Sequence, residues 1–202
     1  MLQRIYAMDL RLLCLLLLAA PIVWAESCLW LRRNVQILLN LLLLAAGVLA
    51  IGQITVWSRT PGEYAAILRP FAALQAARQE PELYREMLMN VALFCPVGLA
   101  LSQLLPQKWP CWARVLLTVF VGGALSAAVE YTQYRFALGM AETDDVLCNA
   151  LGALNGALSL PIGQWLKWCG RDRQNTPRTT DNRLHAPVVL MQHGDGLSLS
   201  SG

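Results

Sequence analysis

Histidine is nearly missing from this sequence. Its two copies, His185 and His193, both lie close to the C-terminal end. The six cysteines stand far apart, at 14, 28, 95, 111, 148 and 169, and no two are spaced CxxC. That excludes a zinc-finger spacing and gives no disulfide framework. The thiols read as small apolar residues in helices. Charge is scarce too: 14% of the residues are Asp, Glu, Lys or Arg, where a soluble domain carries about 25%. The net charge is only +3, and few aromatics lie outside the apolar runs, so nothing points to nucleic acid. With no nucleophile–His pair and no metal-ligand set, no cofactor is implied.

What is abundant is apolar sequence, 56% of the chain. It comes in long runs rather than in alternation, which makes the bilayer the main solvent. The expected fold is all-α, a polytopic bundle of about five transmembrane helices. The first runs from about Ile5 or Leu10 to Ala25. It is preferred over a cleaved signal peptide, although Arg4, Arg11 and Val23-Trp24-Ala25 resemble one. The second covers Val35 to Trp57, the third Met87 to Leu105, the fourth Ala113 to Tyr134 and the fifth Asp145 to Trp168. Between the second and third, Ala65 to Arg78 reads as a short helix interrupted by Pro70. The tryptophans at 24, 30, 57, 109, 112, 165 and 168 fall near the predicted ends, as in an interfacial aromatic belt. Pro96 should kink the third span. Gly98 and the Gly152-x-x-x-Gly156 pair offer close helix packing.

The domain reading is 1–33 for an extra N-terminal helix (or signal peptide) and its connection, 34–168 for the transmembrane domain and 169–202 for a polar, mostly disordered tail. One side of the membrane receives nine Lys/Arg: 32, 33, 108, 114, 167, 171, 173, 178 and 183. The other receives seven: 4, 11, 59, 69, 78, 85 and 135. The positive-inside rule then puts the tail in the cytoplasm.

Against this apolar background, Ser126 to Gly156 carries Glu130, Gln133, Arg135, Glu142, Asp144, Asp145 and Asn149. Ionisable groups at a bilayer edge are costly and usually functional. The 58–86 and 135–144 segments are separated by two spans, so they share a membrane face. Asn90, Glu130, Gln133, Asp145 and Asn149 therefore converge there. Glu130 and Gln133 share one helix face at i, i+3; Asp145 and Asn149 share another at i, i+4. One of Asp144 and Asp145 can be a simple helix cap. Glu130 needs a partner from elsewhere, with Arg135, Arg69 and Arg85 as candidates.

These residues carry a resemblance. The order Asn90, Phe94-Cys95-Pro96-Val97-Gly98, Glu130-x-x-Gln133, Asp145-x-x-x-Asn149-x-x-Gly152-x-x-x-Gly156 resembles the VanZ-like membrane protein family over about residues 35–165. Arg69-Pro70-Phe71 is similar to a segment the family carries before its third span. The resemblance implies a helical protein of the bacterial inner membrane, in a family whose name-giving members are associated with low-level teicoplanin resistance. It brings no established reaction. The family pattern has an arginine six residues before the aspartate, where this chain has Gly139; Glu142 keeps the acidic place, and Arg135 is the candidate replacement cation.

Three functions compete. In the first, a polar pocket of Asn90, Glu130, Gln133, Arg135, Asp145, Asn149 and Arg69 binds a lipid-linked envelope precursor, a head group or another membrane protein. In the second, Glu130 and Asp145 form an acid–base pair acting on a lipid-linked substrate. In the third, the polar groups only lock the helices together.

Overall fold

The computed structural model describes residues 9–62, 65–67, 69–77 and 80–175. Helix α1 is Leu10–Trp30, with Asp9 capping the backbone N–H of Arg11 at 3.0 Å. Helix α2, Arg33–Gly52, runs on into a wider π-helical turn, Gln53–Trp57. A three-residue strand β1, Ala65–Ile67, and a five-residue helix α3, Ala72–Ala76, follow. Helix α4 is Pro81–Leu104 and helix α5 is Cys111–Arg135. Strand β2, Met140–Glu142, leads into helix α6, Thr143–Ala157, and helix α7, Ser159–Asn175.

Five helical segments are long and apolar enough to cross a membrane: α1, α2 with its π-turn, α4, α5, and α6 with α7. The chain is thus an all-α, multi-pass membrane bundle. Trp30 and Trp112 are exposed at helix ends at one end of it, and Trp165 and Trp168 are exposed within α7 on the same side, the placement of an interfacial belt.

The stretch expected as a helix over 65–78 is different. Ala65–Ile67 is extended and pairs in parallel with Met140–Glu142, in register Ala65 to Met140 and Ile67 to Glu142. Pro70 lacks the N–H a continuous helix would need, and only Ala72–Ala76 closes a helical turn. This pairing joins the 58–80 and 136–142 segments at one membrane face. The fifth span also departs from a single rod, breaking at Leu158. Pro161 cannot donate to the Ala157 carbonyl, so α7 restarts with proline in its first turn. Helix α7 then runs past Trp168 to Asn175. The expected disordered tail falls largely on 176–202, outside the described residues.

The bundle is held by very close backbone approach between α4 and α6. A Cβ added to Gly98 would overlap the Ala153 carbonyl oxygen. One added to Gly152 would overlap the Val91 carbonyl oxygen, and one on Gly156 that of Cys95. Lipid supplies no hydrophobic drive for helix association, so small residues that maximise contact carry the packing. Ile51, Phe94, Val97 and Val129 form the apolar core beside this seam. Pro96 lies inside α4, with its ring facing Gly47 of α2.

Helix α1 is tied in by polar contacts. The Asn155 side-chain amide donates to the Leu17 carbonyl at 2.9 Å, and the Trp24 indole N–H donates to Asn40 Oδ1 at 3.2 Å.

Candidate functional site

The polar residues of the β1–β2 face are held by two helix endings. Helix α5 terminates at Arg135, and its last carbonyls are closed by Ala137 in a left-handed conformation, φ 51°. The N–H of Leu138 reaches the Gln133 carbonyl at 2.9 Å, as in a Schellman cap. A buried methyl is compatible with that conformation at a modest cost, and the Ala137 carbonyl accepts from the Gly62 N–H at 2.6 Å. On the other side, the π-turn of α2 pairs the Ser58 N–H with the Gln53 carbonyl, five residues back, at 3.0 Å. The Thr55 carbonyl within this turn takes a bond from Gln133 Nε2 at 3.0 Å. Turns of this kind recur at functional sites.

Asp144 has a structural role across the face. Its two carboxylate oxygens accept from the backbone N–H groups of Phe71 at 2.5 Å and Ala73 at 2.7 Å. It thereby caps α3, not its own helix, and it steadies Phe71 at a positive φ of 63°. Asp145, one residue on, points elsewhere: its Oδ1 accepts from Asn90 Nδ2 at 2.7 Å, joining α6 to α4. Glu130 is buried, and Oε2 accepts from the Glu142 backbone N–H at 2.9 Å. That backbone donor, rather than an arginine at 69, 85 or 135, is its hydrogen-bond partner. Asn149 is buried and donates to Ser126 Oγ at 2.8 Å, while its Oδ1 has no partner.

Beside the Asn90–Asp145 pair lies a cavity of about 550 Å³. Its polar wall is Thr55, Arg59, Glu86, Asn90, Glu142 and Asp145. Its apolar wall includes Leu13, Ile54, Met89, Leu93 and Met140. Helices α1, α2 and α4 and strand β2 thus all contribute. The volume falls within the usual range for small-molecule pockets, roughly 300–1,000 Å³. Burial pushes the Glu142 carboxyl up from its ordinary value, helped by the negative charges of Asp144 and Glu86.

Of the residues singled out in the sequence, Asn90 and Asp145 line the cavity. Glu130, Gln133 and Asn149, all buried side chains, hydrogen-bond β2, the π-turn of α2 and Ser126 of α5, respectively. Arg69 is exposed, and so is Arg135, whose guanidinium lies 5.9 Å from the centroid of the neighbouring Phe136 ring. The cation of the cavity is Arg59, which the motif order did not single out. It stands within electrostatic reach of both Glu130 and Asp145. Its place is unusual: a Cβ on Gly139 would meet Arg59 Nη1 at 2.5 Å. The guanidinium therefore fills the space that a side chain at 139 would enter. Gly139 has φ +153°, which also favours glycine there. The readable signal was a lone arginine just past the Trp57 helix end, facing a glycine where the family pattern has an arginine.

A family model described as VanZ/LLP1 matches residues 10–164. The match covers most of the chain and takes in α1, which the motif resemblance over 35–165 did not reach. The chain belongs to that family. No curated protein and no solved structure matches it.

Proposed function

We propose that this VanZ-family membrane protein binds an amphiphilic component of the bacterial cell envelope in the cavity beside Asn90 and Asp145. The single observation behind the reading is the mixed lining of that cavity. One wall carries a guanidinium, an amide and three carboxyl groups; the other is apolar and includes Leu13, Ile54 and Leu93. An amphiphile has the same two halves. Arg59 would meet the phosphate of its head group, Asn90 and the Asp145 carboxyl would hydrogen-bond its sugar hydroxyls, and its chain would lie along Leu13, Ile54 and Leu93.

The reading extends to the inner membrane, with the 176–202 tail in the cytoplasm. The cavity then opens on the outer face, where lipid-linked wall precursors are presented and where glycopeptides of the teicoplanin type act. Occupancy of the cavity would alter access to those precursors. Glu130, Gln133 and Asn149 act behind the cavity wall by fixing β2, the π-turn of α2 and α6, respectively.

The test uses the full chain in lipid nanodiscs and a polyprenyl-diphosphate-linked saccharide as probe. Binding is expected, and Arg59→Gln and Asp145→Asn should each weaken it by about tenfold or more, the loss of one charge-assisted hydrogen bond. Equal binding by wild type and both variants would refute the cavity assignment. Accumulation of a cleaved or transferred product would instead favour catalysis by the Glu130 and Asp145 carboxyls.

A further inference from the structure

We propose that the opposite membrane face carries a second binding site, for a phosphate or phosphodiester anion. It is independent of the envelope-binding cavity. A separate hollow of about 300 Å³ lies at the other end of the bundle. Arg33 at the start of α2, Arg114 in the first turn of α5 and Lys167 in α7 all line it, together with Gln36, Gln103 and Ser159. Among the described residues, no Asp or Glu is part of its lining. Among the described residues, no ion pair joins any of the three cations to a carboxylate.

Arg114 makes the case. It is only 5% exposed, and an uncompensated charge at such a depth is costly. Its Nη2 donates to the Ser102 carbonyl at 2.7 Å, near the end of α4. That bond explains one arm of the fork as a helix C-terminal cap. It leaves Nε, which has no hydrogen-bond partner at all. Nor does capping explain why Arg33 and Lys167 stand on the same hollow as like charges. Arg33 is near enough to repel Arg114.

An oxyanion resolves both problems. It would accept from the unpartnered Nε, offset the repulsion between Arg33 and Arg114, and bring a counter-charge to Lys167. Two guanidinium groups and an ammonium converging from three helices suit a phosphate with several oxygens better than a two-oxygen carboxylate. Arg33 and Lys167 are exposed, so the hollow opens outward. The exposed Trp30, Trp112, Trp165 and Trp168 cluster at the same end, which sets it at head-group depth. The phosphate could arrive on an anionic phospholipid of that leaflet or free in solution.

The experiment separates these sources. The full chain is placed in phosphatidylcholine nanodiscs and titrated with inorganic phosphate; in parallel, part of the lipid is replaced by phosphatidylglycerol. Thermal unfolding is read in both arms. A rise in Tm with the lipid alone assigns a head group; a rise with phosphate in phosphatidylcholine assigns the free anion. In either case the double variant R33Q/K167Q, altered only at exposed positions, should require at least about tenfold more of the effective probe. R11Q, on the opposite face, should respond as wild type. R114K keeps a charge but not the fork, and should also lose affinity. The proposal is overturned if neither probe raises Tm, or if R33Q/K167Q responds like wild type, or if R11Q loses the response equally.

Discussion

Replacing Gly98 by alanine tests the seam on which the membrane-face cavity is built. The added Cβ would overlap the Ala153 carbonyl oxygen and stand 2.8 Å from its carbon and 2.9 Å from its Cα. Ordinary carbon contacts lie at about 3.5–4.0 Å, so α4 and α6 would have to part by roughly 1 Å. The obstacle is backbone, which cannot swing aside as a side chain would. Overpacking of this kind costs about 1–3 kcal/mol. Better helix propensity returns up to about 1 kcal/mol. Gly123→Ala is the matched control: its Cβ would lie 3.9 Å from the Ala150 Cβ, an ordinary contact, so the propensity term acts alone. The two variants should therefore differ by about 1–3 kcal/mol in stability, with Gly98→Ala the weaker. Unfolding by denaturing detergent, followed by tryptophan fluorescence, reads this directly. Because Asn90 is on α4 and Asp145 on α6, separation of the helices should also stretch their 2.7 Å bond and lower binding in the cavity. If Gly98→Ala unfolds together with Gly123→Ala or after it, the close backbone approach is wrong.

Three further outcomes follow from single contacts. Asp144→Ala removes two backbone bonds, to Phe71 and Ala73, each worth about 1.5–3 kcal/mol because the acceptor is charged; hydrogen exchange or proteolysis of the 69–77 segment should speed up while the spanning helices stay protected. Gly139→Ala puts a methyl group 2.5 Å from Arg59 Nη1 on a backbone at φ +153°; it should cost about 1–3 kcal/mol and reproduce the binding loss of Arg59→Gln. For Glu142, the raised carboxyl predicts a pH effect. While its folded and unfolded states both hold the proton, the wild type should match the Glu142→Gln variant in stability; as pH rises from the ordinary carboxylate value through the raised one, the unfolded state ionises first and the wild type alone loses stability. Glu142→Gln should therefore gain relative stability toward neutral pH, and a stability gap that does not change with pH would count against the cause assigned here.

Much of the architecture is legible in the residues one at a time. A bilayer has no water to satisfy a backbone, so each crossing must be a long apolar helix, and the runs around Leu12, Val35, Met87, Ala113 and Asp145 announce themselves. Counting crossings puts the 58–86 and 135–144 segments on one side, and the β1–β2 pairing joins them. The Asn90–Asp145 contact follows the same topology. The segment around Pro70 is harder. Local pattern suggests helix over Ala65, but a three-residue strand exists only because β2 offers it a ladder, and that partner is far away in sequence. Pro161 does contain the break between α6 and α7, yet an apolar run hides such a break from any count of span length.

The sequence by itself determined the class: five crossings, few charges, small residues on the helix faces and a polar cluster at one membrane edge. These are properties of composition and period, and the surrounding lipid enforces them. Tertiary structure decided what each polar group does. Asp144 and Asp145 are adjacent in the chain, yet one caps a distant short helix and the other meets Asn90. Glu130 takes a backbone N–H where the sequence suggests an arginine. The cation at the cavity is Arg59, fitted over Gly139 by the pairing of two loops. Such partners are chosen by where separate helices end in space, and no local period carries that information.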